Sequence, residues 1–145
     1  MPDIKPLSTT AIGSVPYSDA KEAVRAMAGL DIPAYPQMVK LSPWDDMFLG
    51  ATSGLPALIV DREAQTVRAK RADRENDLAD FYAKFMSGER DFLALAPEAR
   101  LGFDPFLDFA AHDQSYGPEF LKAQVIGPLT FGQMVMLEDD RNALV

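Results

Sequence analysis

Extended runs that stop on a glycine or proline and give way to a helical stripe are the feature that most constrains this fold. Leu7 to Ile12 is short, Thr-containing and closed by Gly13, which reads as a strand entering a turn. Ser14 to Ser18 is loop, because Pro16 biases Val15 away from helical geometry. Asp19 follows as an N-cap, with Glu22 at capping-box spacing. Ala20, Ala23, Val24 and Met27 supply a helical apolar stripe that Gly29 ends. Ile32 to Tyr35 is a second short extended stretch, bracketed by Pro33 and Pro36. Ser42-Pro43 has the N-cap and N1 pattern of another helix, with Asp45 and Asp46 in its positive first turn. Phe120 to Ile126 is a third strand, stopped by Gly127-Pro128, with Thr130 expected to cap a helix running toward Leu137.

Between the second and third units the pattern changes. Leu55 to Val60 and Thr66 to Ala69 read as a hairpin with a five-residue loop. Arg74 to Met86 is a helix with Leu78, Phe81, Tyr82 and Phe85 on one face and Gly88 as its stop. Pro97 to Ala111 is a further helix that Pro105 could split. Three βα-type units plus an inserted hairpin imply a parallel α/β architecture. Three strands cannot close a barrel, so residues 1–145 are expected to form a single partial domain.

Composition narrows the function classes. A formal charge of −8 repels phosphate backbones and anionic lipid, which argues against nucleic-acid and membrane-surface partners. The absence of cysteine excludes a thiolate nucleophile and any thiolate-ligated zinc within these residues. The start, Met1 to Pro6, has no apolar signal-peptide core. The most apolar run, Val125 to Leu137, is too short and polar to span a bilayer. A cytoplasmic location is the expectation.

Few residues carry obvious chemistry. His112 is the only histidine and has no second His or Cys to complete a metal set, so it reads as a solvated loop residue. The acids Asp45-Asp46 and Glu138-Asp139-Asp140 could bind a hard cation, but helix-start and surface acids need no such role. The basic stretch Arg62, Arg68, Lys70, Arg71 and Arg74 fits an exposed hairpin as well as an anion site. Two strand ends stand apart. Ile12-Gly13-Ser14 and Gly127-Pro128-Leu129-Thr130 each place a glycine and a hydroxyl just past a strand's carboxyl end, where parallel α/β folds bind ligands.

At those two places the chain resembles a known family. Thr9-Thr10-Ala11-Ile12-Gly13-Ser14-Val15-Pro16 is similar to the opening strand of the catalytic barrel of cobalamin-independent methionine synthases. Lys122 to Phe131, followed by Glu138-Asp139-Asp140-Arg141, is similar to that family's strand carrying Thr-Gly-Pro-Val-Thr and its trailing acidic run. Asp45-Asp46-Met47 and the hairpin at Leu55 to Ala69 lie between them in the family's order.

The resemblance implies the N-terminal portion of a (β/α)8 (TIM) barrel with an inserted β-hairpin, of the superfamily shared with uroporphyrinogen decarboxylase. It implies methyl transfer from a folate-type donor to a zinc-activated thiol amino acid such as homocysteine. Ile12, Gly13 and Ser14 match the segment that holds the amino-acid substrate, and Gly127 to Thr130 would line the same mouth. The family's zinc ligands lie further along its chain, so zinc belongs to the complete barrel, and these residues alone would not turn over. The chain departs from the family at Leu49, near where a glutamate binds the substrate amine, at Met134 in place of a folate-stacking tryptophan, and at Ile126 in place of the motif's first threonine. Other readings are a decarboxylase-like enzyme, a corrinoid-dependent methyltransferase of the same superfamily, or a non-catalytic partner chain. The stretch Tyr35 to Lys40 has no arginine to grip tetrapyrrole carboxylates. A sheet left open in this way would self-associate or take a complementary barrel chain.

Overall fold

The structure, a computed structural model, describes residues 3–112, 117–139 and 141–143. It is a mixed α/β fold. Among the described residues there are five α-helices, α1 (Ala20–Ala28), α2 (Met47–Gly50), α3 (Arg74–Ser87), α4 (Phe103–His112) and α5 (Pro128–Met134). Two strands, β1 (Leu58–Asp61) and β2 (Thr66–Ala69), form an antiparallel sheet. The chain divides into two compact units, Met1–Met47 with Pro97–Val125 and Phe48–Ala96 with Ile126–Val145.

In the first unit three stretches run parallel. Thr10 pairs with Ile32, Ser14 with Gln37, and Ala34 with Lys122, so the stretch through Ala34 lies between the other two. These are isolated bridges rather than the full strands expected at Leu7 to Ile12, Ile32 to Tyr35 and Phe120 to Ile126. Pro33 and Pro36, both fully buried, explain it: neither has an N–H to donate, so the middle stretch loses two ladder bonds. The register also slips, because the step from Thr10 to Ser14 is four residues and that from Ile32 to Gln37 is five. Gly13 sits in the slip with φ +87°, a left-handed backbone that glycine adopts without a Cβ penalty. Leu7, expected in the first strand, lies in a turn.

Two helices cover this unit's core. Asp19 caps α1 through its carboxylate, which accepts the Glu22 N–H at 2.8 Å. Ala23 packs with Val15 and Met38, while Val24 packs with Tyr35 and with Phe106 of α4. The Tyr35 and Phe103 rings meet edge to face at 5.1 Å. The expected helix from Pro97 to Ala111 is instead a 3₁₀ turn, Pro97–Ala99, followed by α4. Pro105 does not split it, since proline is tolerated in a helix's first turn. The break lies at Gly102, where a Cβ would fall 1.8 Å from the Pro36 carbonyl oxygen.

Asp45 makes that approach possible. It was expected in the first turn of a helix opened by Ser42-Pro43; the only helix there is the single turn α2, and Asp45 is 1% exposed. Its Oδ2 accepts N–H bonds from Met38 at 3.1 Å and from Gly102 at 2.9 Å. A donor committed to this carboxylate cannot continue a helix, which is why α4 starts after it.

In the second unit, Leu58 pairs with Ala69 and Asp61 with Thr66. No glycine marks the turn because Asp61 Oδ1 accepts the Glu63 and Ala64 N–H groups. Met136 extends the sheet, donating to Val67 O at 3.0 Å and accepting from Ala69 N at 2.7 Å. The last helix therefore ends at Met134 rather than near Leu137, and its N-cap is Gly127, with Pro128 at its start, rather than Thr130. Gly88 closes α3 as expected, donating to Lys84 O and Phe85 O, but α3 buries none of its residues. None of the described helices is long and apolar enough to cross a membrane.

Burial pushes the Asp45 carboxyl pKa up, the two N–H bonds pull it down in part, and Asp104 and Asp46 add to the rise. A folded pKa above the unfolded one means the folded chain holds the proton more tightly, so this group's contribution to stability falls as pH rises through that range. Asp45→Ala should cost about 2–4 kcal/mol, because two buried N–H groups lose their acceptor. Asp45→Asn keeps an acceptor oxygen and should stay within about 1 kcal/mol of the parent at pH 7, with any advantage shrinking on acidification. Denaturant melts at two pH values check this; an Asn variant as damaged as the Ala variant would mean that the charge itself is required.

Candidate functional site

The resemblance-derived residues lie at one edge of the parallel stretches in the first unit. Ile12 is 71% exposed, and Ser14 is exposed beside its bridge to Gln37. The Gly13 N–H points at a side chain: it donates to Gln124 Oε1 at 2.8 Å. A Cβ at Gly13 would meet no other atom within 4 Å.

Gln124 links all three stretches. Its Nε2 donates to Tyr35 O at 3.2 Å, and the Tyr35 hydroxyl donates back to Gln124 O at 3.0 Å. These reciprocal side-chain bonds stand where a parallel ladder would continue past Lys122. Burial, and after it the Asp45 carboxylate, pushes the Tyr35 phenol above its ordinary value. Two residues earlier, Lys122 Nζ donates to Ala11 O at 2.9 Å. Lys40 Nζ donates to Pro16 O at 2.8 Å and ties down the loop after Ser14.

Reading the sequence for motifs missed Gln124, Lys122 and Tyr35 as members of this edge. The signal was present in Phe120 to Ile126 as a period of two. Lys122, Gln124 and Ile126 are half-buried and alternate with exposed Leu121, Ala123 and Val125.

The remaining candidates are spent on structure. His112 ends α4, exposed, with Nδ1 at 2.9 Å from Asp108 O and 3.0 Å from the Asp108 carboxylate. Lys70 pairs with Asp77 at 2.9 Å, and Arg68 donates to Leu137 O. Glu138 accepts the Arg71 N–H, and Asp139 pairs with Arg141 at 2.7 Å; Asp140 lies outside the described residues. Leu49 is buried in α2, and Met134 is half exposed at the end of α5. No group of three or more His, Cys, Asp or Glu side chains among the described residues could hold a metal ion.

The edge around Gly13 thus gathers an amide N–H, a hydroxyl and an ammonium, of which the amide is held by Gln124 and the ammonium of Lys122 by the Ala11 carbonyl. Compared with family models, curated proteins and solved structures, the chain has no match.

Gly13→Ala should cost about 1–2 kcal/mol, since the strain lies in the left-handed backbone and not in a clash. A thermal melt checks it; an unchanged midpoint would mean that the loop relaxes to negative φ.

Proposed function

We propose that this chain forms the N-terminal part of a (β/α)8 barrel of the methionine-synthase-like branch, and that its Ile12-Gly13-Ser14 edge holds the carboxylate end of a thiol amino acid such as homocysteine. The reaction served is methyl transfer from a folate-type donor to that thiol. The single observation that carries the barrel reading is the reach of Gln124 and Lys122 over the middle stretch onto Gly13 and Ala11. In a flat sheet, stretches two apart are separated by about 9–10 Å. Spanning that distance takes nearly the full length of a glutamine side chain and a hydrogen bond, and curvature of the stretches toward this face would shorten it. Side chains of alternate strands meeting inside the curve is how barrel interiors are filled.

The methyl-transfer reading rests on the two motif resemblances, at Thr9 to Pro16 and at Lys122 to Phe131. Lys40, the cation nearest the position of a tetrapyrrole-gripping arginine, is committed to the Pro16 carbonyl, which disfavours the decarboxylase reading. Zinc would hold a thiol as the nucleophilic thiolate in such an enzyme. The described residues do not fit a zinc site, and the part proposed for this chain is to bind and orient the substrate. Exposed Val125, Leu121 and Ile12 favour a second feature of the proposal, a complementary barrel chain or second copy packed on this sheet.

Ser14→Ala should weaken binding of L-homocysteine about tenfold or more, the worth of a hydrogen bond to a charged group. As an exposed substitution it should change stability by no more than about 0.5 kcal/mol. Calorimetric titration alongside a thermal melt separates the two; matched losses in affinity and stability would remove Ser14 from the site.

A further inference from the structure

We propose that Gln124 is a resident stand-in for the ligand's carboxylate, holding the Gly13 N–H until an incoming carboxylate displaces it; the inference rests on the substrate-binding role proposed for this edge. The geometry points to it in three ways. The Gly13 N–H is satisfied by a side-chain oxygen at 2.8 Å, and a side chain can rotate away where a backbone carbonyl cannot. The carboxamide oxygen has the shape and lone pairs of one carboxylate oxygen, so the two compete for one donor. The flank of Gly13 away from Gln124 is uncrowded, since a Cβ there would meet no other atom within 4 Å, and Ser14 next to it is exposed.

The competition also sets selectivity. A ligand must bind the Gly13 N–H better than an uncharged amide oxygen does. Ionised carboxylates meet that condition because charge-assisted bonds are roughly twice as strong as neutral ones. Esters, amides and alcohols do not. The Tyr35 hydroxyl holds the Gln124 backbone carbonyl and the Tyr35 carbonyl accepts from the carboxamide Nε2, so the side chain stays anchored beside Gly13 and can return once the ligand leaves.

The test follows the backbone amide of Gly13 and the side-chain NH2 of Gln124 by NMR in the ¹⁵N-labelled full chain. The chain is titrated with sodium acetate and, separately, with L-methionine. Acetate should move both resonances along one saturable curve. In Gln124→Ala the Gly13 signal should saturate at about threefold to tenfold lower acetate, the worth of one net hydrogen bond removed from the competitor. In Gln124→Glu, which keeps the acceptor and adds a repelling charge, Gly13 should cease to respond; this variant and the wild-type curves decide the matter if the Ala variant unfolds. Displacement by acetate with L-methionine no tighter than acetate would uphold the stand-in and sink the thiol-amino-acid reading. Binding of L-methionine at Ser14 with the Gln124 side chain unmoved would overturn the stand-in and leave that reading intact. Resonances at Gly13 and Gln124 that respond to neither compound would also overturn it.

Discussion

The carboxylate of Asp45, buried and shared by two backbone N–H groups, is the interaction on which the first unit depends. It reaches a residue 57 positions further along the chain, holding Gly102 beside Met38. Only with Gly102 in place can the chain pass against the Pro36 carbonyl, and only then does α4 bring Phe106 onto Val24 and Tyr35. A buried charge is costly to desolvate, and two N–H donors offset that cost where an apolar residue would leave them orphaned. Burial raises the Tyr35 phenol, and the same carboxylate adds to that rise.

That edge follows from a second constraint, the two buried prolines of the middle stretch. By withholding ladder donors they leave the parallel stretches joined by isolated bridges, and side chains add to the cohesion. Gln124 and Lys122 bridge to the first stretch, and Tyr35 and Gln124 bond each other reciprocally. A sheet held by side chains is easier to curve and has backbone donors that are not locked into a ladder. The Gly13 N–H is one of these. In the proposed function, structure and recognition draw on the same few groups.

Local features were legible in the sequence. The capping pattern of Asp19 and Glu22, the stops at Gly29 and Gly88, and the pairing of the hairpin strands are all set by residues within a few positions of one another. The failures share a cause: distant partners outweighed local pattern. Asp45 looks like a helix-start acid until Met38 and Gly102 claim its oxygen. Pro105 looks like the breaker of α4 until Gly102 is seen against Pro36. Thr130 has the chemistry of a cap, yet Pro128 already opens α5 after Gly127. Gly13 and Ser14 were legible as an edge, whereas Gln124, lying 111 residues further on, could be joined to them only by the fold.

The most direct measurement compares L-methionine with L-methioninol, in which an alcohol replaces the carboxylate, by calorimetric titration of the full chain. Recognition through the Gly13 and Ser14 donors requires L-methionine to bind at least about tenfold more tightly, as loss of a hydrogen-bonded charge implies. Equal affinity for the two compounds, or binding of neither, would contradict a carboxylate site at this edge.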